Sequence, residues 1–260
     1  MFGFPKTPRR IFKKNFLRSV IINIIYEPIV VTEFQDVIKT SLINYFPRFR
    51  SKVDSSFQIE LRPNEKTPIV NAGEGVRGYQ LLSEDGLSTI SVDNTMIVVS
   101  IAGLSYKKFD DISEMIKRFH GLLRAMGITQ IKRLSMRKLN VANFQTEDVF
   151  SVYEDLLNPV LAARAMAAMP FSESVLQNMT NVSLADGEYR LNLAYGIPPI
   201  PAITKPLKGI FVEDIDVIKE SVLPIDEMEE QLCEINQAIY DVFSWVNSDK
   251  FKETILGYDE

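Results

Sequence analysis

Three short segments, Tyr79-Gln-Leu-Leu-Ser83, Leu87-Ser-Thr-Ile-Ser-Val92 and Met96-Ile-Val-Val-Ser-Ile101, decide the fold. The second and third are rich in β-branched residues. They are joined by Glu84-Asp85-Gly86 and by Asp93-Asn94, turn residues that accept the backbone conformations a tight hairpin needs. The spacing predicts an antiparallel meander.

Upstream, Ser19-Val-Ile-Ile-Asn-Ile-Ile-Tyr26 is a continuous β-branched run, the pattern of a strand covered on both faces, and Pro28 ends it. Thr32 can cap a first helix in which Phe34, Val37, Ile38, Leu42 and Ile43 recur three and four apart. Phe57-Gln-Ile-Glu-Leu61 alternates as a half-buried strand, and residues 65–78 read as a loop. Downstream of the meander, Ile112, Met115, Ile116, Phe119, Leu122 and Leu123 form one helical stripe, with Gly127 placed to end it. The predicted unit is β-α-β(4)-α, which makes an α+β fold: a curved antiparallel sheet with helices packed on one face. Its topology also resembles the saddle of TATA-box-binding proteins.

A further strand is expected from Gln130 to about Phe144, closing an N-terminal half at 1–144. The second half, 145–260, is read as a helix at 149–169, strands near 175–184, 189–195 and 209–218, and a long helix from Asp226 to about Val246. It echoes the first half, as strands closed by a helix, and the two are expected to pack as one body.

The side-chain inventory narrows the chemistry. One histidine, His120, and one cysteine, Cys233, cannot build a His-rich zinc site, a Cys cluster or a Cys–His couple. His120 is expected to be a surface or helix-packing residue. A lone cysteine forms no intrachain disulfide, which points to a reducing, cytoplasmic setting. With 46% hydrophobic and 24% charged residues, the chain has the composition of a globular protein. The apolar run after the first basic residues is too short for a signal peptide or a span, so no membrane association is expected. The formal Gly73-x-Gly75-x-x-Gly78 is followed by the strand-like Tyr79-Gln-Leu-Leu rather than by the helix whose N-terminus holds a pyrophosphate, and is read as a mobile loop. No cofactor is expected.

Charge is segregated. Lys6, Arg9, Arg10, Lys13, Lys14 and Arg18 precede the first acid, whereas residues 211–260 hold 14 Asp and Glu against three lysines. Such ends attract one another, and the basic arm can also receive an acidic partner or nucleic acid. Within Arg133-Leu-Ser-Met-Arg-Lys-Leu-Asn140 the strand period sets Arg133, Ser135 and Arg137 on one face and Lys138 with Asn140 on the other. Arginine forks suit carboxylate or phosphate, so Arg133, Arg137, Lys138 and Asn140 are the candidate binding residues, unless they serve structural ion pairs. Asp214 and Asp216 share a strand face and are weak candidates for a cation.

Several blocks carry a resemblance: Phe4-Pro5, Ile11-Phe-Lys-Lys-Asn-Phe-Leu17, Leu82-Ser-Glu-Asp-Gly86, Tyr106-Lys-Lys-Phe109, the arginine strand, Glu213-Asp-Ile-Asp216 and Ile235-Asn-Gln-Ala-Ile-Tyr240. In order and spacing the chain resembles a sporadically distributed family of uncharacterised bacterial proteins of similar length. That family usually has R-x-G-L-R-Y-I-N at the arginine strand; here Ser135 stands for the glycine and Lys138 for the tyrosine. A patchy distribution implies genes carried on mobile or defence-related islands, which often encode antitoxins, immunity proteins or accessory subunits. The expected role is a non-catalytic module that holds a protein partner or a second copy of itself. The alternatives are nucleic-acid binding through the basic arm and sheet, and a metal-dependent nuclease or hydrolase on Asp214 and Asp216.

Overall fold

The computed structural model describes residues 1–60, 69–106, 108–167, 177–200 and 205–258. The central strand β1 (Leu17–Ile25) leads into one 3-10 turn and α1 (Gln35–Leu42). The meander follows as β2 (Arg48–Glu60), β3 (Ile69–Leu82), β4 (Ser88–Asp93) and β5 (Met96–Ala102), and α2 (Asp110–Ala125) ends this series. Next come β6 (Gln130–Ile131), β7 (Arg133–Thr146), α3 (Val149–Leu156), α4 (Pro159–Ala167), β8 (Asn178–Asp186), β9 (Tyr189–Ile197), β10 (Leu207–Lys219), β11 (Leu223–Pro224) and α5 (Met228–Val246).

Nine strands form one antiparallel sheet in the order β2-β3-β4-β5-β1-β7-β10-β9-β8, and β6 pairs separately with β11. The α+β reading holds. The order has an internal echo. β1 and β7 lie side by side at the centre, with β5-β4-β3-β2 stepping outward from β1 and β10-β9-β8 from β7. The second half therefore repeats the first with one strand fewer. The sheet is unbroken between them, and residue 144 falls inside β7.

Helices cover one face. Val20, Ile22 and Ile24 of β1 point into them at 0 to 1% exposure, and their register partners Ile101, Val99 and Ile97 on β5 and Met136 and Leu134 on β7 share that side. The alternate residues Ile21, Asn23 and Ile25 are only half-buried. The double covering expected of this strand is thus single, because every helix among the described residues packs on the same side. The expected stripes of α2 and α5 are buried: Phe119, Leu122 and Leu123 on one, Leu232, Ile235, Ile239, Val242 and Val246 on the other.

Four local expectations are corrected. Thr32 caps nothing; the backbone N–H of Val31 donates to Asn94 Oδ1 in the β4–β5 turn instead, at 3.0 Å. The predicted helix over 149–169 is broken by Pro159, which has no N–H to donate and so opens a new helix. Asn158 caps it by accepting from Val160 and Leu161 N–H at 3.0 Å. The strand expected from Gln130 is interrupted at Lys132 into β6 and β7. Gly73 to Gly78, read as a loop, lies within β3 and pairs with β2 and, at Gly78, with Asp93 of β4. The rest of that expected loop, up to 68, and the first residues of the strand expected near 175 lie outside the described residues. Gly127 does end α2: at φ 75° it donates to Arg124 O while Ile128 donates to Leu123 O, satisfying two of the last carbonyls.

Candidate functional site: the two faces of the arginine strand

β7 sits at the middle of the sheet, between β1 and β10. Its alternation separates the four candidate binding residues. Lys138 and Asn140 face the helices; Arg133 and Arg137 face the opposite, open side. They therefore form no single contact surface, and each face has its own chemistry.

On the helix side a buried polar row crosses the apolar core. Glu213 on β10 is 0% exposed and is register partner to Asn140, which is 6% exposed. Asn247, just past α5, donates Nδ2 to both Glu213 oxygens at 3.1 Å, and Asn140 Nδ2 reaches Oε2 at 3.4 Å. Burial pushes the Glu213 carboxyl up to about 8, only partly countered by the two amides. At neutral pH it is largely a neutral acid held by amides.

Lys138 lies half-buried beside this row. Its ammonium donates to Tyr106 Oη at 3.0 Å and to Asn236 Oδ1 at 2.7 Å, both neutral acceptors. Desolvation, with the nearby Arg9 charge adding to it, pulls its pKa down to about 7. Lys138 is part of the floor of a groove of about 610 Å³ whose other walls are the basic arm, Gly103, Leu104, Tyr106 and Lys108 to Asp110, and α5.

The arm is laid along α5 mainly by neutral contacts. Thr7 N–H donates to Asp241 Oδ1 at 2.9 Å, Arg9 Nε to Gln237 Oε1 at 2.8 Å, Arg9 Nη2 to the Cys233 carbonyl at 3.2 Å, and Arg10 N–H to Tyr240 Oη at 3.0 Å. Phe4 meets Trp245 edge-on at 5.2 Å, and Phe12 stacks on Tyr258. Of the expected contact residues, Arg9, Arg10 and Lys13 line the groove, and all five arm cations are exposed. Lys6 and Lys14 stand outside it.

The open side is different. Arg137 makes a forked pair with Asp214, Nε to Oδ1 at 2.7 Å and Nη2 to Oδ2. This is the structural ion pair that the sequence left as an option. Asp214 and Asp216 do share a face, and burial raises the Asp216 carboxyl despite hydrogen bonding from Asn192. With both oxygens of Asp214 committed to Arg137, the two are not a ready cation seat, and among the described residues no cluster of three His, Cys, Asp or Glu exists to hold a metal. Asn23 Nδ2 donates to Ser135 Oγ at 3.1 Å across β1 and β7. Away from both faces, His120 Nε2 lies 2.6 Å from Asp226 Oδ1, a surface pair shared with Arg124 at 2.5 Å.

The groove with Asn236 in its lining, and the Glu213–Asn247 pair behind it, were not singled out from sequence as a group. The only signal is polar residues at apolar-stripe positions: Asn236 one residue after Ile235, and Glu213 between Phe211 and Ile215. No helix among the described residues is long and apolar enough to cross a membrane. No family model matches the chain, and no curated protein matches it.

Proposed function

We propose that the chain is a non-catalytic interaction protein that holds a protein partner on the open face of its sheet. One observation carries this: on that face half-buried apolar side chains flank Asn23 and are surrounded by charged residues, three pairs of which are already matched, while Arg133 Nε is buried without a hydrogen-bond partner among the described residues. Ile21, Ile25, Met96 and Val98 are half-buried there, with no helix among the described residues over them. Around them lie Lys52 with Asp93 at 3.2 Å, Arg190 with Glu220 at 2.6 Å, and Arg137 with Asp214. An apolar core with a polar rim is the anatomy of a protein interface. Nine strands spaced by about 4.8 Å give a platform roughly 38 Å wide, enough for an interface of standard size.

A nucleic-acid partner would instead require cations free to neutralise phosphates. The antitoxin-like, immunity or accessory role implied by the family resemblance is part of the same proposal. Val98→Arg and Ile21→Asp place charge in the apolar centre without touching the helix-side core. In cells producing the tagged chain, a stoichiometric protein partner is expected to co-purify with the wild type and with Glu230→Lys, a change on α5, and to be lost from both open-face variants. A partner held equally by all four forms, or nucleic acid whose binding collapses between low and moderate salt, overturns the reading.

A further inference from the structure

The groove beneath the basic arm is a second site, on the opposite side of the sheet from the proposed partner face and independent of it. Among its described lining residues are five cations, Arg9, Arg10, Lys13, Lys108 and Lys138, against one acid, Asp110. Asp110 is 3.6 Å from Lys108, so it compensates that lysine first. Arg9 gives its Nε to a side-chain amide and one Nη2 donor to a backbone carbonyl, and Arg10 lies over the Tyr258 ring, 4.7 Å from its centroid. Lys138 makes no ion pair with any described residue; its two acceptors, Tyr106 Oη and Asn236 Oδ1, are neutral. An ammonium has three donors, so one remains for a ligand.

The apolar part of the wall is aromatic. Phe12, Phe16, Tyr106, Tyr240 and Phe243 all line the groove. Phe16 is held edge-on against Phe251 at 5.0 Å, and Tyr240 stacks near Phe243, so several rings are braced by neighbours. A partly buried cation beside other cations is costly, and an anion entering the groove would relieve that cost while its organic body covers the rings. The volume of about 610 Å³ lies in the range of small-molecule sites.

We infer that this groove binds a small ligand that joins an aromatic body to a phosphate or carboxylate, with the anion seated on Lys138 and Arg10 and the ring against Phe12 and Tyr240. Four probes divide the possibilities: phenyl phosphate, benzoate, inorganic phosphate and neutral benzyl alcohol, each titrated calorimetrically into the full chain up to about 10 mM. Phenyl phosphate or benzoate is expected to bind one to one and at least about tenfold more tightly than either inorganic phosphate or benzyl alcohol. Whichever of the first two binds better identifies the head group.

Lys138→Gln is expected to weaken the better probe by at least about tenfold. Arg10→Gln and Lys13→Gln, on the exposed arm, are expected to weaken it about threefold each and serve as readouts should the Lys138 variant fail to fold. Absence of binding by both aromatic anions, inorganic phosphate binding as tightly as phenyl phosphate, or an affinity unchanged in Arg10→Gln and Lys13→Gln overturns the assignment.

Discussion

Asn247, which ends α5, grips both carboxyl oxygens of Glu213 on β10 at 3.1 Å, tying the long C-terminal helix to the middle of the sheet through a buried acid. The Glu213 pKa is raised, so the folded state holds its proton where the unfolded chain has lost it. Stability from this group is full below about 4.5 and is lost as pH rises to about 8. Glu213→Gln is nearly isosteric with the neutral acid. Urea unfolding at pH 5 is expected to show similar stability for both proteins, and at pH 8.5 the variant is expected to be more stable by about 1 kcal/mol or more. A constant difference at both pH values would mean that Glu213 is ionised in the fold.

Lys138 has the opposite sign. Its folded pKa is depressed from 10.5 to about 7, so the unfolded chain binds the proton better between those values and stability rises with pH across that window. Lys138→Met removes this slope. The stability of wild type minus variant, followed by urea unfolding between pH 7 and 10, is expected to increase steadily. A flat difference removes the case for a desolvated ammonium.

Arg137 and Asp214 form a forked pair with side chains 45% and 19% exposed. A pair so open to water contributes little, and the coupling energy from the cycle Arg137→Ala, Asp214→Ala and the double variant is expected at about 0.5 to 1 kcal/mol. Coupling of several kcal/mol would mark the pair as a main support of the sheet centre.

Glycines separate two kinds of position. A Cβ on Gly103 would lie 1.6 Å from the Leu17 carbonyl oxygen, where the chain leaving β5 crosses the start of β1, whereas one on Gly75 would meet nothing within 4 Å. Gly103→Ala is expected to destabilise by more than about 2 kcal/mol and Gly75→Ala to be within about 0.5 kcal/mol of wild type, both read from thermal unfolding. Comparable losses would mean that the strand β3 around Gly75 is packed more closely than its surroundings indicate.

Much of the fold was legible because it rests on local periodicity. The meander with its two turns, the stripes of α2 and α5 and the Gly127 terminus all follow from spacing within a few residues. The errors share one cause. Gly73–Gly78 and Thr32 carry the composition of a loop and a cap, but cross-strand hydrogen bonds to β2 and the side chain of Asn94 outweigh those local preferences. At the candidate site, the period of β7 was enough to split Arg133 and Arg137 from Lys138 and Asn140. It could not say what stands opposite either pair.

The sequence by itself determined the α+β class, the alternation of β7, and the poverty in histidine and thiol groups, because these depend on residue identity and on neighbours a few positions away. Only the tertiary structure decided that Arg137 is paired with Asp214, that Glu213 is a buried acid beneath Asn247, and that Lys138 donates to Tyr106 and Asn236 with no ion-pair partner among the described residues. Those relations join residues 77, 34 and 98 or more positions apart for Arg137–Asp214, Glu213–Asn247 and Lys138–Asn236. They arise from sheet register and helix docking, which bring distant polar groups into a low-dielectric interior where each must find a partner or shift its pKa.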